Sequence, residues 1–292
     1  MTHQQSLSRR GFLLSAIGQS LPQNMRTEHV NQHQRLKGLP PIHSEYWTFT
    51  VVSQQEAPLI LSYQDTLALP AVDVICALVC SNKDVPRKVH SHWRGISIQT
   101  LLDRFNIRAA FTRFIAADGY ITGLPLSMLD RAILAYQMNG EPLAHDDGFP
   151  ARLVVPGFYG YKMPKWITRL ELTDTPPTGF WEAQGWSASG RIETTAVITS
   201  PQHLQTVNGV VTIHGLVYAG EQSLIHIEVS IDDGPWMPVP FTPAPRFQTT
   251  EWAIDWSPPA PGAYFLKARA IHGAPSTENL SNHQVVITVL EV

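Results

Sequence analysis

Short alternating or continuous apolar runs, separated by turn residues, dominate the chain and predict many strands and few helices. Alternation over residues 45–52 (EYWTFTVV) and the apolar run over residues 72–79 predict two strands. Residues 59–70 predict a strand followed by a short helix that ends at Pro70. Apolar residues at helical spacing over 96–105 predict a second helix.

Three further segments complete the pattern of the first part of the chain. Residues 113–120 predict a strand with an Asp-Gly turn. Asn139-Gly140, inside residues 132–143, predicts a hairpin because this pair favours a two-residue turn. Residues 152–172 predict a strand, a loop rich in Gly and Tyr, and another strand.

The pattern changes after residue 173, where DTPPTG is typical of a linker. Beyond Arg191, five short β patterns separated by turns predict an all-β sandwich of about 100 residues, Ig-like in size. We expect Trp236, Trp252 and Trp256 to be core aromatics there.

The expected organisation is therefore an α+β chain of three segments. A tail covers residues 1–38, a mixed α/β domain covers 39–190, and the sandwich covers 191–292.

Composition narrows the function classes. The 292 residues are 43% hydrophobic, and a net charge of −3 gives no reason to expect nucleic acid as a partner. Cys76 and Cys80 lie four apart on a predicted strand, so their Cα atoms would be roughly 13 Å apart. That distance is too long for a disulfide.

The N-terminal segment SLSRRGFLLSAIG, residues 6–18, resembles a twin-arginine export signal. Such signals export folded proteins, so the expected location is the periplasm. The alternative is a polar tail on a cytoplasmic protein, since residues 19–38 are rich in Gln, Asn and His.

Cys80 lies where the apolar strand ends and small polar residues begin, in ALVCSNKD, whereas Cys76 lies inside the apolar run. Four blocks surround this cysteine in the sequence: DGYITGLPL, LAYQMNGEPL, GFPARLVVPGFYGYKMPKW and FWEAQGWS. Over residues 45–187 their order and spacing resemble the sulfite oxidase family of molybdopterin enzymes. CSN followed by HWRGISIQTLL is similar to that family's cysteine loop, and the sandwich resembles its dimerisation domain.

The resemblance implies a molybdenum–molybdopterin cofactor with the Cys80 thiolate as the one protein ligand of molybdenum. A soft thiolate suits a high-valent metal. In the resembled enzymes an oxo group is transferred to or from the substrate while molybdenum cycles between Mo(VI) and Mo(IV). Without the surrounding blocks, Cys80 would be interpreted as a small buried hydrophobic residue.

By position, Arg152 and Lys165 match family residues that contact the cofactor, and an arginine fork and a lysine charge suit its phosphate and carbonyl groups. Each could instead form a surface salt bridge.

The resemblance adds Asn82 and Asp118 as cofactor candidates, each of which could instead merely shape a turn. Asp147 stands where a cofactor-contacting histidine often lies in the family. Gly157 and Gly160 let the backbone approach closely and are candidate amide donors to the cofactor.

Departures from the family concern the substrate. Trp186 stands where the family has a tyrosine beside the metal, and an indole can donate a hydrogen bond but cannot accept a proton. The sulfite-binding arginines after the cysteine are missing, and only Lys83 and Arg87 could replace their charge. We therefore expect a substrate other than sulfite, a small oxo donor or acceptor such as a sulfoxide or an oxidised thioether.

The resemblance also implies partners. No haem-attachment C-x-x-C-H motif occurs, so we expect a separate electron carrier, either a cytochrome or a membrane redox protein. The sandwich implies a homodimer.

Two other interpretations stay open: a zinc or copper site that joins Cys80 to His90 and His92, and an interaction or adhesion module that has kept the fold but lost the cofactor.

Overall fold

The computed structural model describes residues 42–79, 86–221, 223–272 and 281–291, and over these residues the chain is mostly β with a few short helices. Cys80, Asn82 and the export-like segment lie outside the described residues, so the predictions on them stay predictions.

Ten strands and three short α-helices form the first part of the chain. The strands are β1 Thr48–Val52, β2 Leu59–Ser62, β3 Val72–Val79, β4 Pro86–Ser97, β5 Phe111–Ala116, β6 Ile121–Pro125, β7 Ile133–Met138, β8 Glu141–Pro142, β9 Arg152–Val154 and β10 Ile167–Thr173. The α-helices are α1 Tyr63–Ala68, α2 Ile98–Leu102 and α3 Phe180–Ala183.

These strands form two sheets around one apolar core. The first sheet has the order β2-β1-β10-β5-β6, with β1 parallel to β10, and the second has the order β3-β4-β7-β8, with β9 added to β7. Phe49 and Leu170 of the first sheet belong to the same buried cluster as Trp93 and Leu134 of the second. The two sheets therefore share the interior that positions the site.

Most predicted elements of this part are confirmed. The strand over residues 72–79 has the predicted bounds, and Ser62 caps helix α1 through a reciprocal bond with Asp65. Asn139 and Gly140 have φ values of 54° and 88°, as a two-residue hairpin turn between β7 and β8 requires.

The helix predicted over residues 96–105 is shorter than expected. Strand β4 continues to Ser97 and pairs with β7, so helix α2 begins only at Ile98. The cause is a close backbone approach at Gly95, where an added Cβ would lie 2.2 Å from the carbonyl oxygen of Leu134. The close contact between β4 and β7 favours continued strand pairing over a helix that would begin at Ile96.

Eight strands form the second part of the chain. They are β11 Thr195–Ser200, β12 Gln205–Val207, β13 Val211–Tyr218, β14 Leu224–Ile231, β15 Met237–Pro238, β16 Thr249–Trp256, β17 Gly262–His272 and β18 Ser281–Val289. They form sheets with the orders β11-β13-β16 and β12-β18-β17-β14-β15, over a shared apolar cluster.

The three tryptophans of this part differ in burial. Trp252 is buried in the cluster, whereas Trp256 is half-buried against Tyr264 and Trp236 lies under the guanidinium of Arg269. The Ig-like description and a boundary near residue 190 stay predictions.

The two parts meet at the end of β3. The Ala77 N–H donates to the Phe247 carbonyl at 2.7 Å, and Ala77, Val79 and Tyr218 form a small buried cluster. The strand that leads to Cys80 is therefore held by both parts of the chain. In the described ranges, no helix has the length and apolarity needed to cross a membrane.

Candidate active site

Arg152 is a buried cation at the start of β9. Its side chain is 2% exposed, and its Nη1 and Nη2 donate to the carbonyls of Asp147 and Met163 at 3.0 and 3.2 Å. The guanidinium also lies 5.2 Å from the centre of the Trp93 ring. Its Nε is buried and has no hydrogen-bond partner among the described residues. Burial lowers the pKa of Arg152 to about 10, so the group is still a cation at neutral pH.

Gly148 brings Arg152 and Lys165 together. A Cβ at this position would lie 3.1 Å from Cβ of Arg152 and 3.0 Å from Cβ of Lys165. The Lys165 ammonium donates to the carbonyl of Asp146. Because Gly148 has φ of 111°, glycine allows the turn that follows Asp147 to pass between the two cations. Three predicted cofactor residues, Asp147, Arg152 and Lys165, therefore lie close together.

Asp118 lies in the turn between β5 and β6, where its carboxylate accepts a hydrogen bond from the Tyr120 N–H at 2.9 Å. Burial raises the pKa of this carboxyl group, and the nearby Lys165 ammonium partly opposes the rise. Asp118 thus stabilises the turn, as one of the two interpretations expects, and also lies within electrostatic range of the Lys165 ammonium.

The loop between β9 and β10 reaches the end of β3. An added Cβ at Gly160 would lie 3.4 Å from the carbonyl of Val79, the residue before Cys80. Gly157 has φ of 90°, and its carbonyl accepts the Ile192 N–H. Gly160 therefore lies close to Val79, the residue before the predicted thiolate ligand, whereas Gly157 lies at the contact with the second part.

Trp186 lies among other aromatic rings. It stacks on Trp181 with ring centres 4.2 Å apart and meets Tyr161 edge to face at 5.1 Å. Tyr161 is the neighbour of Gly160, so Trp186 lies on the side of the molecule where β3 ends. All three rings are half-buried.

Sequence reasoning missed a buried ion pair between Lys162 and Glu182. Their side chains are 1% and 6% exposed, and the Lys162 ammonium donates to Glu182 and to the carbonyl of Gly123. Thr122 also donates to Glu182, at 2.8 Å. The pair ties helix α3, which carries Trp181, to the loop that carries Tyr161.

Two glycines make room for this pair. An added Cβ at Gly190 would lie 2.4 Å from Cγ of Lys162, and one at Gly179 would lie 2.3 Å from Oε2 of Glu182. The two side chains occupy the space that these glycines leave.

His145 is a second residue that sequence reasoning missed. Its ring lies 5.5 Å from that of Trp166, and its carbonyl accepts the Trp166 indole N–H. Its Nε2 is buried without a hydrogen-bond partner in the ranges that the structure describes. Its place two residues before Asp147, which stands at a family histidine position, was the available signal.

These residues fit a molybdopterin. Two cations converge beside a turn, and the unpaired Nε of Arg152 is a donor that a phosphate or a pterin heteroatom can satisfy. Arg152 and Lys165 would hold the phosphate and the pterin edge, with Asp118 beside Lys165. The described part of the chain holds no group of three or more His, Cys, Asp or Glu residues that could bind a metal.

Two other features are distinct from this cluster. His92, proposed for a zinc or copper site, contacts Asp73 at 3.1 Å and is exposed. A cleft of about 350 Å³ lies between residues 128–131 and 155–158 of the first part and residues 191–194 and 219–221 of the second. Two arginines and three acidic residues line it, so it has no strong excess of charge that would favour an anionic cofactor.

Comparisons with known proteins agree with this chemistry. The profile of the "Oxidoreductase molybdopterin binding domain" matches residues 37–181. An uncharacterized oxidoreductase of Bacillus subtilis, YuiH, is 30% identical over 152 residues, which cover 49% of this chain and 74% of that protein. The human mitochondrial sulfite oxidase is 36% identical over 121 residues, which cover 35% of this chain but only 22% of that enzyme.

A NADH nitrate reductase of Volvox carteri is 25% identical over 240 residues, or 61% of this chain and 28% of that enzyme. Among solved structures, the sulfane dehydrogenase SoxCD of Paracoccus pantotrophus superposes with a TM-score of 0.66 at 21% identity, over 82% of this chain and 69% of that one. This likeness shows a shared fold across both parts of the chain. These named relatives are oxidoreductases, which does not favour the non-catalytic interpretation.

Proposed function

Because this chain belongs to the sulfite oxidase family of molybdopterin-binding oxidoreductases, we propose that it transfers an oxo group to or from a small molecule. The cofactor supplies the two-electron oxo chemistry, and the protein supplies binding and orientation. The Cys80 thiolate is the proposed protein ligand of molybdenum.

The observation that carries the site assignment is the buried, incompletely bonded Arg152. A buried guanidinium with an unpaired Nε costs free energy unless an acceptor arrives. Lys165 and the Gly148 turn lie beside it, which supports a role for all three residues in cofactor binding. Gly160, in the loop between β9 and β10, lies next to the last residue of β3. This loop would therefore position the pterin side of the site next to Cys80.

The proposed substrate is an organic oxo compound. For a sulfoxide, two electrons and two protons convert the S=O group to a thioether and water, and the reverse reaction releases the same electrons and protons. A separate cytochrome or membrane redox protein exchanges the electrons. Support comes from Trp186 at the tyrosine position and from the missing arginines after Cys80, because sulfite needs several cationic partners.

Further assignments concern the second part and the N-terminal segment. We propose that the second part is an Ig-like sandwich, so that the whole protein is of the α+β class. Its likeness to the family's dimerisation domain supports a homodimer. The segment over residues 6–18 exports the folded protein to the periplasm.

A pair of cysteine variants tests the function. We expect Cys80→Ser to lose the thiolate-to-metal absorption band and oxo transfer from sulfoxides with a reduced viologen as the electron donor. Cys76→Ala is the matched control, since Cys76 is buried away from solvent and should leave both signals in place. A Cys80→Ser protein with full activity and an unchanged band would contradict the proposal.

A further inference from the structure

Three aromatic rings form a partly open surface next to the proposed metal site. Trp186 stacks on Trp181 at 4.2 Å with an interplanar angle of 24°, and it meets Tyr161 at 5.1 Å with an angle of 83°. We call Tyr161, Trp181 and Trp186 the aromatic wall. Its stacked and edge-to-face contacts are the arrangements that aromatic rings prefer, so the rings support one another.

The residues beside the wall leave it accessible. Residues 183–185 and 187–189 are exposed, and five of these six are Ala, Gly or Ser. Small neighbours cannot cover an indole, which explains why Trp186 keeps part of its surface open on an otherwise exposed segment. Gly185 has φ of 88°, a conformation that turns the chain back towards Tyr161 and that glycine adopts without strain.

The wall lies at the reactive end of the site. Gly160, directly before Tyr161, approaches the Val79 carbonyl, and Cys80 follows Val79. Tyr159 stacks on Tyr161 at 6.1 Å and packs against the buried cluster of Ala77, Val79 and Tyr218. The wall is thus connected through packed rings to the residue before the proposed ligand.

The hydroxyl of the aromatic wall is already hydrogen-bonded within the protein, and its two indoles can donate a hydrogen bond but cannot accept one. The Tyr161 hydroxyl donates to the Ser187 carbonyl at 2.6 Å, and burial together with the nearby Glu182 raises its pKa to about 12. An indole has one N–H donor and no acceptor. The wall therefore offers ring faces to a ligand in place of an acid or a base.

The cation that contacts the wall is engaged too. The Lys162 ammonium lies 5.6 Å from the centre of the Tyr161 ring and is buried against Glu182. Its charge is therefore balanced, and an inorganic dianion would gain little from it.

We propose that the aromatic wall selects a neutral substrate with a planar, apolar group beside its oxygen-bearing atom, of which an aryl sulfoxide is the simplest example. This inference rests on the proposed function for the position of the metal. Trp186 acts as the specificity-determining residue, because a planar group can stack on its indole while the oxygen points towards the centre beside Cys80. Tyr161, which already stacks on Tyr159, positions Trp186 through their edge-to-face contact.

Equilibrium binding tests the inference without turnover. The fully oxidised holoenzyme has no electrons to give, so calorimetric titration with a sulfoxide measures binding alone. We expect methyl phenyl sulfoxide to bind roughly two- to twelvefold more tightly than dimethyl sulfoxide, the range that one aromatic contact gives. Sulfate, an inorganic dianion that cannot reduce the oxidised centre, should bind more weakly than methyl phenyl sulfoxide.

Variants locate the effect. Trp186→Ala should abolish the preference for the phenyl compound. Trp186→Phe keeps an aromatic ring and should keep most of the preference, which shows that the loss in Trp186→Ala comes from the missing ring and not from misfolding. Trp236→Phe is the control, because Trp236 lies under Arg269 in the second part. Molybdenum content per chain checks that each variant has kept its cofactor.

Equal affinity for the two sulfoxides, tighter binding of sulfate, or a preference that Trp186→Ala leaves intact would overturn the inference. Failure of the proposed function has a different signature. In that case no sulfoxide is reduced by the viologen-reduced holoenzyme, whatever the outcome of the binding titrations.

Discussion

The two parts of the chain use polar residues in opposite ways. The first part buries two cations, Arg152 and Lys162, at 2% and 1% exposure. In the second part the buried polar side chains of the described residues are uncharged, most of them Ser and Thr, and ion pairs such as Arg269–Glu228 are partly exposed.

The shifted pKa values follow the same division. Burial shifts the pKa values of Cys76, Asp118, Arg152 and Lys162 in the first part, whereas Tyr218 of the second part lies at the junction with the first. Buried charges cost free energy, and groups with shifted pKa values therefore cluster at sites that bind a ligand or carry out catalysis. This division supports our placing the proposed site in the first part.

The largest expected effect comes from breaking the Lys162–Glu182 pair. Lys162→Met leaves the Glu182 carboxylate buried without its cation, which should lower the free energy of unfolding by about 3–5 kcal/mol. Urea denaturation followed by tryptophan fluorescence measures the loss.

Two further variants sharpen this result. The double variant Lys162→Met/Glu182→Leu should regain most of the stability, because an apolar pair can replace a buried ion pair. Lys267→Met removes a pair from the second part in which Asp233 is 78% exposed, and should cost below about 1 kcal/mol. Equal losses for Lys162→Met and Lys267→Met would show that the two parts do not differ.

Arg152→Lys should weaken cofactor binding by roughly ten- to a hundredfold, since lysine keeps the charge but loses the planar fork, a difference of about one charge-assisted hydrogen bond. Molybdenum and pterin retained per chain after dialysis measure the loss. Arg113→Lys is the control, because Arg113 is exposed beside Glu171. Retention equal to the wild type would place Arg152 outside the cofactor site.

The smallest effect is a pH dependence from Cys76. Burial raises the pKa of this thiol to about 12 from an ordinary value of 9.0. Between these values the unfolded chain has lost a proton that the folded chain keeps. The free energy of unfolding should therefore fall as the pH rises above 9, by at most about 1.4 kcal/mol per pH unit from this group.

Urea titrations of the wild type and of Cys76→Ala between pH 8 and 10.5 isolate this contribution. The stability of the wild type relative to the variant should decline above pH 9 and stay constant below it. Parallel curves over the whole range would show that the thiol ionises in the folded protein as it does in the unfolded chain.

Local patterns predicted much of the fold. The apolar run predicted β3, and Asn139-Gly140 predicted the hairpin between β7 and β8. Both elements could be predicted because they depend on residues that are adjacent in the sequence. The helix over residues 96–105 was too long because the contact of Gly95 with Leu134 is not a local property of the sequence.

The site shows the same limit. Arg152, Lys165 and Asp147 could be found because a contiguous motif carries them, and the structure brings them together around Gly148. Lys162 and Glu182 could not, because they are 20 residues apart and each looks like an ordinary surface charge in sequence. Their pairing depends on space left by Gly179 and Gly190, which becomes visible only in three dimensions.

The hydrogen bond from Ala77 to Phe247 has a consequence for the independence of the two halves. β3 pairs with β4 along one side, and on its other side the Ala77 N–H, three residues before Cys80, donates to the second half. A fragment that stopped at the linker would leave this donor of an edge strand without its acceptor, and edge strands with unpaired backbone groups invite aggregation. The second half thus helps to hold the end of β3 in place.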